Sequence, residues 1–507
     1  MSESKKFSIK PWIIVCGMKV ERTSKVVPIQ AREFAPDALP DLAVCQRARQ
    51  SRDPRFDGRF FIGVVTTGIY CRTTCPARMP KEENVRYYVT AAQAQEAGFR
   101  PCKRCRPEAA QRLPEWTIAT ETVQRALRYI EAGYLNQRAV TDLADELSVG
   151  ERHLNRLFQQ ELGASVKGVA QLCRAKLARK LLADTTLPIA ELAFHAGYGS
   201  VSRFNAEMKK IFQATPSALR NGKSKANASL TVVLPIRGPY DFDWMFEYLD
   251  KRSLVGIEEV SKLNGQWCYQ RRLPKSGTDT TVYVRVDGTS LVADLPLTGE
   301  PVHSLLTRVR RVFDLNADGE TVHESMADDE QLGEFVRSRP GLRVPGAWDG
   351  FETAVRAILG QQVSVERGTV LAGKLITMFG NGDFPKPEQL YDQDISAIGM
   401  PGRRGEAVRL LARQVMDGAL TLDDCQEYEE VQVGLESLPG IGPWTANYIR
   451  MRTLKDPDAF PHNDWVVMKA LGVSAAKAQG LAEKWRPWRA YALMYVWCFS
   501  KQMRAKH

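Results

Sequence analysis

The sequence predicts a multidomain α+β protein. Its expected order is a small cysteine-rich α/β domain, a basic all-α region, and a large unit with an α/β lobe followed by all-α lobes. Three observations lead to this prediction. Two close pairs of cysteines come early in the chain, two similar helix-turn-helix patterns follow, and strand-like alternation then gives way to a long helical region. With 507 residues the chain is long enough for about three or four domains.

The charge of the chain is unevenly distributed. Residues 1–226 contain 37 Lys and Arg against 22 Asp and Glu, whereas the remaining residues contain 33 against 37. A basic segment favours binding to a polyanion, and double-stranded DNA is the partner we expect. A basic domain without a nucleic-acid partner is the alternative. No apolar run reaches the roughly 18 residues of a membrane span, so we expect a cytoplasmic, nucleoid-associated protein with no membrane partner.

Residues 41–112 follow an expected N-terminal tail (1–40) and contain the two cysteine pairs. Cys71 and Cys75 form the first pair, and Cys102 and Cys105 form the second after an interval of 26 residues. Two close pairs on separate turns can supply the four ligands of a tetrahedral Zn²⁺. The pattern fits a metal site in a reducing compartment better than a disulfide framework. Zinc keeps its ligands as thiolates, the nucleophilic form of cysteine.

The segments RFFIGVVTTGIYCRTTCPAR and AGFRPCKRCRPE carry these cysteines and closely resemble the metal-binding domain of the Ada family. The resemblance implies that Cys71 accepts a methyl group from a DNA methylphosphotriester and that all four cysteines hold zinc. Methylation of a thiolate makes the zinc centre less negative and weakens its repulsion from DNA phosphate, so the site can act as an electrostatic switch. A purely structural zinc site is the alternative.

Residues 116–220 contain two helix-turn-helix patterns. In the first, a short helix from Val140 leads through a turn to a helix over 151–162 with an apolar stripe. The polar face of this second helix suits phosphates and base edges in a major groove, and its candidate DNA-binding residues are Arg152, Asn155 and Arg156.

The second pattern repeats this arrangement with a helix over 201–212. Its expected buried stripe is Val201, Phe204, Met208, Ile211 and Phe212. Its candidate DNA-binding residues are Arg203, Asn205 and Lys209. Helices from two such units can enter successive major grooves, about 34 Å apart.

The segment ELAFHAGYGSVSRFNAEMKKIFQATPSALR resembles the double helix-turn-helix domain of AraC-type regulators, which the Ada family shares. The resemblance implies a bacterial, sequence-specific transcription activator bound to promoter DNA, with RNA polymerase as a candidate partner. A helical protein-interaction module is the alternative. His153 and His195 are isolated and are expected to face DNA or the core. The polar residues 221–229 are expected to be a linker.

Residues 230–345 show strand-like alternation and predict an α/β lobe, and residues 346–507 have a helical pattern. Within the helical part, the sequence LPGIGPWTANY (438–448) predicts a glycine turn between two helices. Gly440 and Gly442 allow the backbone to come close to a ligand. The N–H groups at the start of the following helix suit a phosphate oxygen. An ordinary helical hairpin is the alternative.

The C-terminal half resembles the AlkA family of DNA glycosylases through GLRVPGAWDGFETAVRAILGQQVSV, LPGIGPWTANY and WRPWRAYALMYVW. The resemblance implies a helix-hairpin-helix that holds DNA phosphate near Leu438, Gly440 and Gly442, with a monovalent cation as a further candidate ligand. It also implies a catalytic carboxylate, Asp464. The expected base pocket consists of Trp444, Tyr448 and Trp497.

The implied reaction is hydrolysis of the N-glycosidic bond of alkylated bases of the 3-methyladenine type. Asp464 would stabilise positive charge on the sugar, and the aromatic side chains would favour a flipped cationic base. Bifunctional relatives have a lysine at the position of Trp444, so a monofunctional glycosylase is expected. Gln362 lies where the family has an apolar wedge and is less suited to intercalation. The alternative is a methylation-switched regulator with a weak or inactive glycosylase domain.

Overall fold

The computed structural model describes residues 39–53, 56–107, 121–220, 229–274, 280–297, 300–422 and 426–504. The predicted tail up to residue 38 and the predicted linker at 221–228 lie outside these ranges. Within the ranges, no helix combines the length and the apolar character needed to cross a membrane.

The cysteine-rich domain contains a small sheet with the strand order β3-β1-β2-β4. Strand β1 is antiparallel to β2 and β3, and β2 is parallel to β4. Because Tyr70 lies opposite Pro101, the residues that follow, Cys71 and Cys102, are brought together. The elements are α1 (Leu42–Gln50), β1 (Phe61–Val64), β2 (Ile69–Cys71), β3 (Val85–Tyr88), α2 (Ala91–Glu96) and β4 (Arg100–Pro101).

The basic region is all-α, and both predicted helix-turn-helix pairs are present. A long central helix, α6, joins them and packs against helices of both units. The helices are α3 (Glu121–Glu131), α4 (Val140–Glu146), α5 (Glu151–Leu162), α6 (Val166–Asp184), α7 (Ile189–His195), α8 (Val201–Phe212) and α9 (Pro216–Leu219).

The prediction that Val201 belongs to the buried apolar stripe of α8 is wrong. Val201 is 38 % exposed because it begins the helix, next to the capping residue Ser200, where the first turn faces solvent. Glu207 is buried on the inner side instead, 3.4 Å from Nη2 of Arg174. The central helix thus contributes a charged partner to the second unit.

The α/β lobe is a five-stranded antiparallel sheet with the order β5-β9-β8-β7-β6. Two helices pack against it. The elements are β5 (Ser229–Leu234), α10 (Phe242–Asp250), β6 (Glu258–Leu263), β7 (Gln266–Arg272), β8 (Thr281–Asp287), β9 (Ser290–Pro296) and α11 (Val302–Val312).

The remaining part is helical and has two apolar cores. Residues 322–344 pack with residues 451–503 in the second core, so packing crosses the boundary predicted at residue 345. The helices are α12 (Gly319–Met326), α13 (Gly333–Ser338), α14 (Gly350–Leu359), α15 (Val365–Phe379), α16 (Gly402–Met416), α17 (Tyr428–Glu436), α18 (Pro443–Thr453), α19 (Trp465–Leu471), α20 (Ala475–Ala482), α21 (Arg489–Cys498) and α22 (Ser500–Arg504).

The second helix-turn-helix unit and the sheet lobe share one apolar core. Phe204 and Met208 of α8 belong to the same buried cluster as Leu230 and Leu295 of the sheet. His195 is buried as well, and its Nε2 lies 3.1 Å from the carbonyl oxygen of Leu297, so it is a core residue rather than a DNA contact. This shared core fixes the DNA-binding unit to the lobe beside it.

Candidate zinc centre, DNA-binding helices and base pocket

The four clustered cysteines form the zinc site. The Sγ atoms of Cys71, Cys75, Cys102 and Cys105 all lie within 4.8 Å of one another. The Sγ atoms of Cys75 and Cys102 are 3.9 Å apart. Sulfur ligands at about 2.3 Å from a tetrahedral Zn²⁺ are about 3.8 Å apart, so the geometry fits the metal. Zinc would hold the four sulfurs as thiolates.

The zinc site is open on one side. Cys75 and Cys102 are buried, whereas Cys71 and Cys105 are partly exposed. The backbone N–H of Arg72 donates to Sγ of Cys105 at 3.5 Å, and Nε of Arg72 donates to Oδ1 of Asp57 at 2.7 Å. Cys71 therefore lies on the more exposed side of the site, next to a guanidinium group that Asp57 fixes.

The outward faces of α5 and α8 carry most of the predicted DNA-binding residues. Five of the six are exposed: Arg152, Arg156, Arg203, Asn205 and Lys209. Asn155 is different, since its Nδ2 donates to the carbonyl of Glu151 at 3.2 Å and its Oδ1 accepts from the N–H of Val166 at 3.4 Å. The amide of Asn155 connects α5 to α6, and its contact with DNA stays a prediction.

The hairpin between α17 and α18 needs glycine at one position. Gly440 has φ of +93°, and a Cβ there would lie 3.2 Å from Cβ of Ala407, so other residues would be strained. Nε2 of Gln361 donates to the carbonyl of Gly440 at 2.9 Å and to Oγ1 of Thr445 at 3.0 Å. Gly440 and Gly442 are exposed, as a phosphate-binding turn requires. The monovalent cation stays a prediction.

Leu438 does not have the predicted position for a DNA contact. Its side chain is 6 % exposed and belongs to the helical core. Its N–H donates to the carbonyl of Leu435 at 3.1 Å, so it is not available to a phosphate. Leu438 anchors the hairpin from inside.

Asp464 is held by donors from three helices. It caps the N-terminus of α19 through Oδ1, which accepts from the N–H of Val467 at 2.9 Å. Its Oδ2 accepts from Nε1 of Trp444 at 2.7 Å, and Nε1 of Trp497 lies 3.4 Å from Oδ1. The residue is 6 % exposed, so the carboxylate is oriented and largely shielded from bulk water.

The predicted aromatic residues line one cleft together with Asp464. Trp444 and Tyr448 are stacked with centroids 5.3 Å apart and planes at 9°. Trp497 lies 6.4 Å from Tyr448. The cleft has a volume of about 1050 Å³ and also includes Gln362. This space is sufficient for a flipped nucleotide.

Gln362 lies at the edge of the cleft in the loop between α14 and α15. The residue is exposed and has φ of +55°, a conformation that non-glycine residues adopt rarely and at a cost. The loop therefore holds this side chain exposed at the edge of the cleft. Whether a glutamine serves as the wedge stays a prediction.

Sequence reasoning missed three residues of the cleft. Trp244 and Tyr248 lie on α10 of the α/β lobe and face the same space. Their i, i+4 spacing on a helix was an available signal for a shared aromatic face. Nη1 of Arg452 donates to the hydroxyls of Tyr248 and Tyr448 at 2.7 Å each. Residues of both lobes thus line the pocket, and a positively charged guanidinium group lies beneath it.

Three known families match successive parts of the chain. The metal-binding domain of Ada matches residues 44–108, a helix-turn-helix domain matches 143–222, and the AlkA N-terminal domain matches 231–349. The chain is 36 % identical over 482 residues to the probable bifunctional transcriptional activator/DNA repair enzyme AlkA of Mycobacterium tuberculosis. That match covers 90 % of this chain and 96 % of the relative.

Two Escherichia coli K12 proteins match separate parts. DNA-3-methyladenine glycosylase 2 is 33 % identical over 272 residues, which cover 51 % of this chain and 94 % of the relative. The bifunctional transcriptional activator/DNA repair enzyme Ada is 35 % identical over 174 residues, which cover 34 % of this chain and 47 % of the relative.

Proposed function

The chain belongs to the family of bifunctional transcriptional activators and DNA repair enzymes that combine Ada-type and AlkA-type domains, and on this premise we propose which residues carry each activity. The protein is a DNA-3-methyladenine glycosylase joined to a zinc-containing, DNA-binding transcription activator. It acts in the repair of alkylated DNA and in the response to it. Its domains are proposed to span 41–112, 116–220, 230–345 and 346–507.

The glycosylase reaction takes place in the cleft around Asp464. An alkylated base is flipped against the aromatic wall formed by Trp444, Tyr448 and Trp497, whose accessible faces attract its positive charge. As the N-glycosidic bond breaks, the bonding electrons leave with the base and the sugar becomes cationic. Asp464 stabilises that cation and orients the water that attacks it. The products are a free neutral base and an abasic site.

Strand cleavage is not part of the proposed reaction. A bifunctional glycosylase needs an amine that forms a Schiff base with the sugar. At the corresponding position this chain has Trp444, whose indole nitrogen donates to Asp464. The hairpin at Gly440 and Gly442 is proposed to hold the DNA phosphate beside the cleft.

The observation that carries the glycosylase proposal is the carboxylate of Asp464 at the wall of an aromatic cleft. We expect wild-type protein to release 3-methyladenine from methylated duplex DNA and the Asp464→Asn variant to lose this activity. Asn also caps helices well, so the variant should remain folded and bind DNA. If wild type releases no base while it binds promoter DNA, the regulator alternative is correct.

Cys71 is the proposed methyl acceptor. Its sulfur attacks the methyl carbon of a DNA methylphosphotriester, the S–C bond forms, the O–C bond breaks, and a phosphodiester anion leaves. Two observations support this role: partial exposure of Cys71 and membership in a four-thiolate site. Because zinc keeps the sulfur as a thiolate, no separate base is needed.

Peptide mass spectrometry after exposure to methylated DNA tests this assignment. The mass of one methyl group is expected on the peptide that contains Cys71. Cys105 is the matched control, since it is a ligand of the same site with similar exposure. A methyl group found on Cys105, or on neither, would contradict the proposal. The activator is proposed to contact RNA polymerase once α5 and α8 have bound promoter DNA.

A further inference from the structure

A buried guanidinium group below the base pocket has no carboxylate partner. Arg452 is 8 % exposed, and across the described part of the chain it makes no ion pair with Asp or Glu. Its Nη1 donates to two tyrosine hydroxyls, its Nη2 donates to the carbonyl of Gly346 at 3.2 Å, and its Nε has no partner among the described residues. Buried charges in proteins are normally paired, so one of the groups that contact Arg452 is expected to carry negative charge.

The two tyrosine hydroxyls can supply that charge. The hydroxyl oxygens of Tyr248 and Tyr448 are 3.1 Å apart, and each accepts a hydrogen bond from Arg452 at 2.7 Å. The pair has two hydroxyl protons, and one occupies the bond between the two oxygens. The second has no acceptor among the described residues. Its loss to solvent leaves one negative charge on the pair, directly beside Arg452.

The electrostatics of the pair agree with this proton count. Burial opposes ionisation of Tyr448, but the charges of Arg452 and Arg252 and the hydrogen bond from Tyr248 outweigh burial and lower its pKa to about 8. Burial raises the pKa of Tyr248. One proton is therefore given up as the pH rises through about 8, and the other is retained between the two oxygens.

Positive charge predominates around the pair. The guanidinium of Arg252 lies 3.7 Å from the ring centroid of Tyr248, and Arg356 adds charge from α14. The nearby carboxylates are engaged elsewhere: Asp464 with Trp444 and Val467, and Glu258 and Glu352 with Arg271 and Arg356. The other charged side chains that line the cleft are exposed: Glu247, Lys251 and Glu366.

We propose that Tyr248 and Tyr448, once one of their two hydroxyl protons has been lost, share the other and act as a counter-ion of the base pocket, through which the enzyme prefers cationic alkylated purines to neutral damaged purines. This inference depends on the proposed glycosylase function of the cleft. Tyr448 is stacked on Trp444 in the aromatic wall, so an anion on the pair attracts a cationic base and offers little to a neutral one. Because cleavage neutralises the base, the attraction acts on binding more than on the chemical step.

The test compares 3-methyladenine, a cationic base with no ring N–H to lose in this pH range, and hypoxanthine in otherwise identical duplexes. The KM for 3-methyladenine release is measured from about pH 6.5 to about pH 9, and the hypoxanthine duplex is measured as a competitor, so its own release is not required. We expect the preference for the cationic base to rise several-fold through about pH 8. The Tyr448→Phe and Tyr248→Phe variants should show a constant, lower preference with kcat changed less than KM.

Two further measurements complete the test. Tyr283→Phe, which changes an exposed tyrosine of β8, should behave as wild type. The ultraviolet absorbance of tyrosinate should show one group that ionises near pH 8 in wild type and Tyr283→Phe but not in Tyr448→Phe. A wild-type preference that is constant with pH, or no tyrosinate near pH 8, would overturn the inference. Loss of all base release by wild type would instead refute the proposed glycosylase.

Discussion

Trp444 donates a hydrogen bond of 2.7 Å from its indole Nε1 to Oδ2 of Asp464, the carboxylate whose other oxygen caps α19. A single side chain therefore both forms the wall of the base pocket and orients the proposed catalytic carboxylate. Because the chain has this indole where bifunctional glycosylases have a lysine, hydrolysis without strand cleavage is the proposed reaction.

Trp444→Phe should separate these roles. The variant keeps an aromatic face but loses a hydrogen bond to a charged group, which contributes about 1.5–3 kcal/mol. We expect kcat for 3-methyladenine release to fall about 10- to 100-fold with a small change in KM. Trp497→Phe is the control, because its Nε1 lies 3.4 Å from the carboxylate and its loss should matter less. Equal effects of the two variants would contradict this explanation.

Asp464 also stabilises the fold, and two variants distinguish its two roles. Asp464→Ala removes the N-cap of α19 and should lower the free energy of unfolding by about 1 kcal/mol relative to Asp464→Asn. Both variants should be inactive in base release. The measurement is urea denaturation followed by circular dichroism. If the Ala variant is as stable as the Asn variant, the cap seen at Val467 does not contribute.

Gln362→Gly should stabilise the fold and reduce base release. Glycine relieves the left-handed backbone at φ of +55°, and we expect a gain of about 0–1 kcal/mol in the free energy of unfolding after the greater entropy of glycine is included. If Gln362 fills the gap left by the flipped nucleotide, base release should fall severalfold at the same time. Asn381→Gly, at φ of +50° outside the cleft, should be stabilising without loss of activity.

The buried carboxylate of Glu352 should make the stability of the protein depend on pH in the acidic range. Burial opposes its charge, but Arg271 and Arg356 outweigh burial and hold the pKa of Glu352 below its ordinary value of 4.5. Its stabilisation is therefore complete above that value and is lost as the pH falls toward the folded pKa. Glu352→Gln should destabilise the protein by about 3–5 kcal/mol at neutral pH. Thermal denaturation from neutral pH to about pH 3 should show a weaker acid dependence in the variant.

Removal of zinc should leave the distant cleft intact. The cysteine-rich domain has a small apolar cluster of its own, and its Phe61, Tyr70 and the alanines of residues 91–94 join the core of the first helix-turn-helix unit. Small domains of this kind depend on their metal to fold. We expect a chelator to make residues 41–107 sensitive to protease while release of 3-methyladenine stays unchanged. Cys75→Ser should have the same effect without chelator. Loss of glycosylase activity in either case would show that the zinc domain supports the distant cleft.

Local patterns in the sequence predicted part of this architecture. The zinc site could be predicted because each ligand pair is close in sequence. The pairing of β2 with β4 then places the turn of the first cysteine pair beside the turn of the second. The Tyr248–Tyr448–Arg452 cluster could not be predicted in this way, because it depends on how α10 of one lobe lies against α18 of another. Asn155 and Leu438 show the same limit. The sequence does not reveal that the amide of Asn155 bonds to the backbone of α6 or that the side chain of Leu438 lies in the helical core.

The apolar core shared by α8 and the β5–β9 sheet makes the regulator and the repair enzyme inseparable as cooperative units. A fragment that begins at residue 229 would lose the part of this core that Phe204 and Met208 supply, and it should aggregate or denature at a lower temperature than the full chain. Unfolding of this shared core would then abolish promoter binding and base release together. A substitution that destabilises the core would therefore reduce both activities in the cell, and selection on either activity would act on the same core residues.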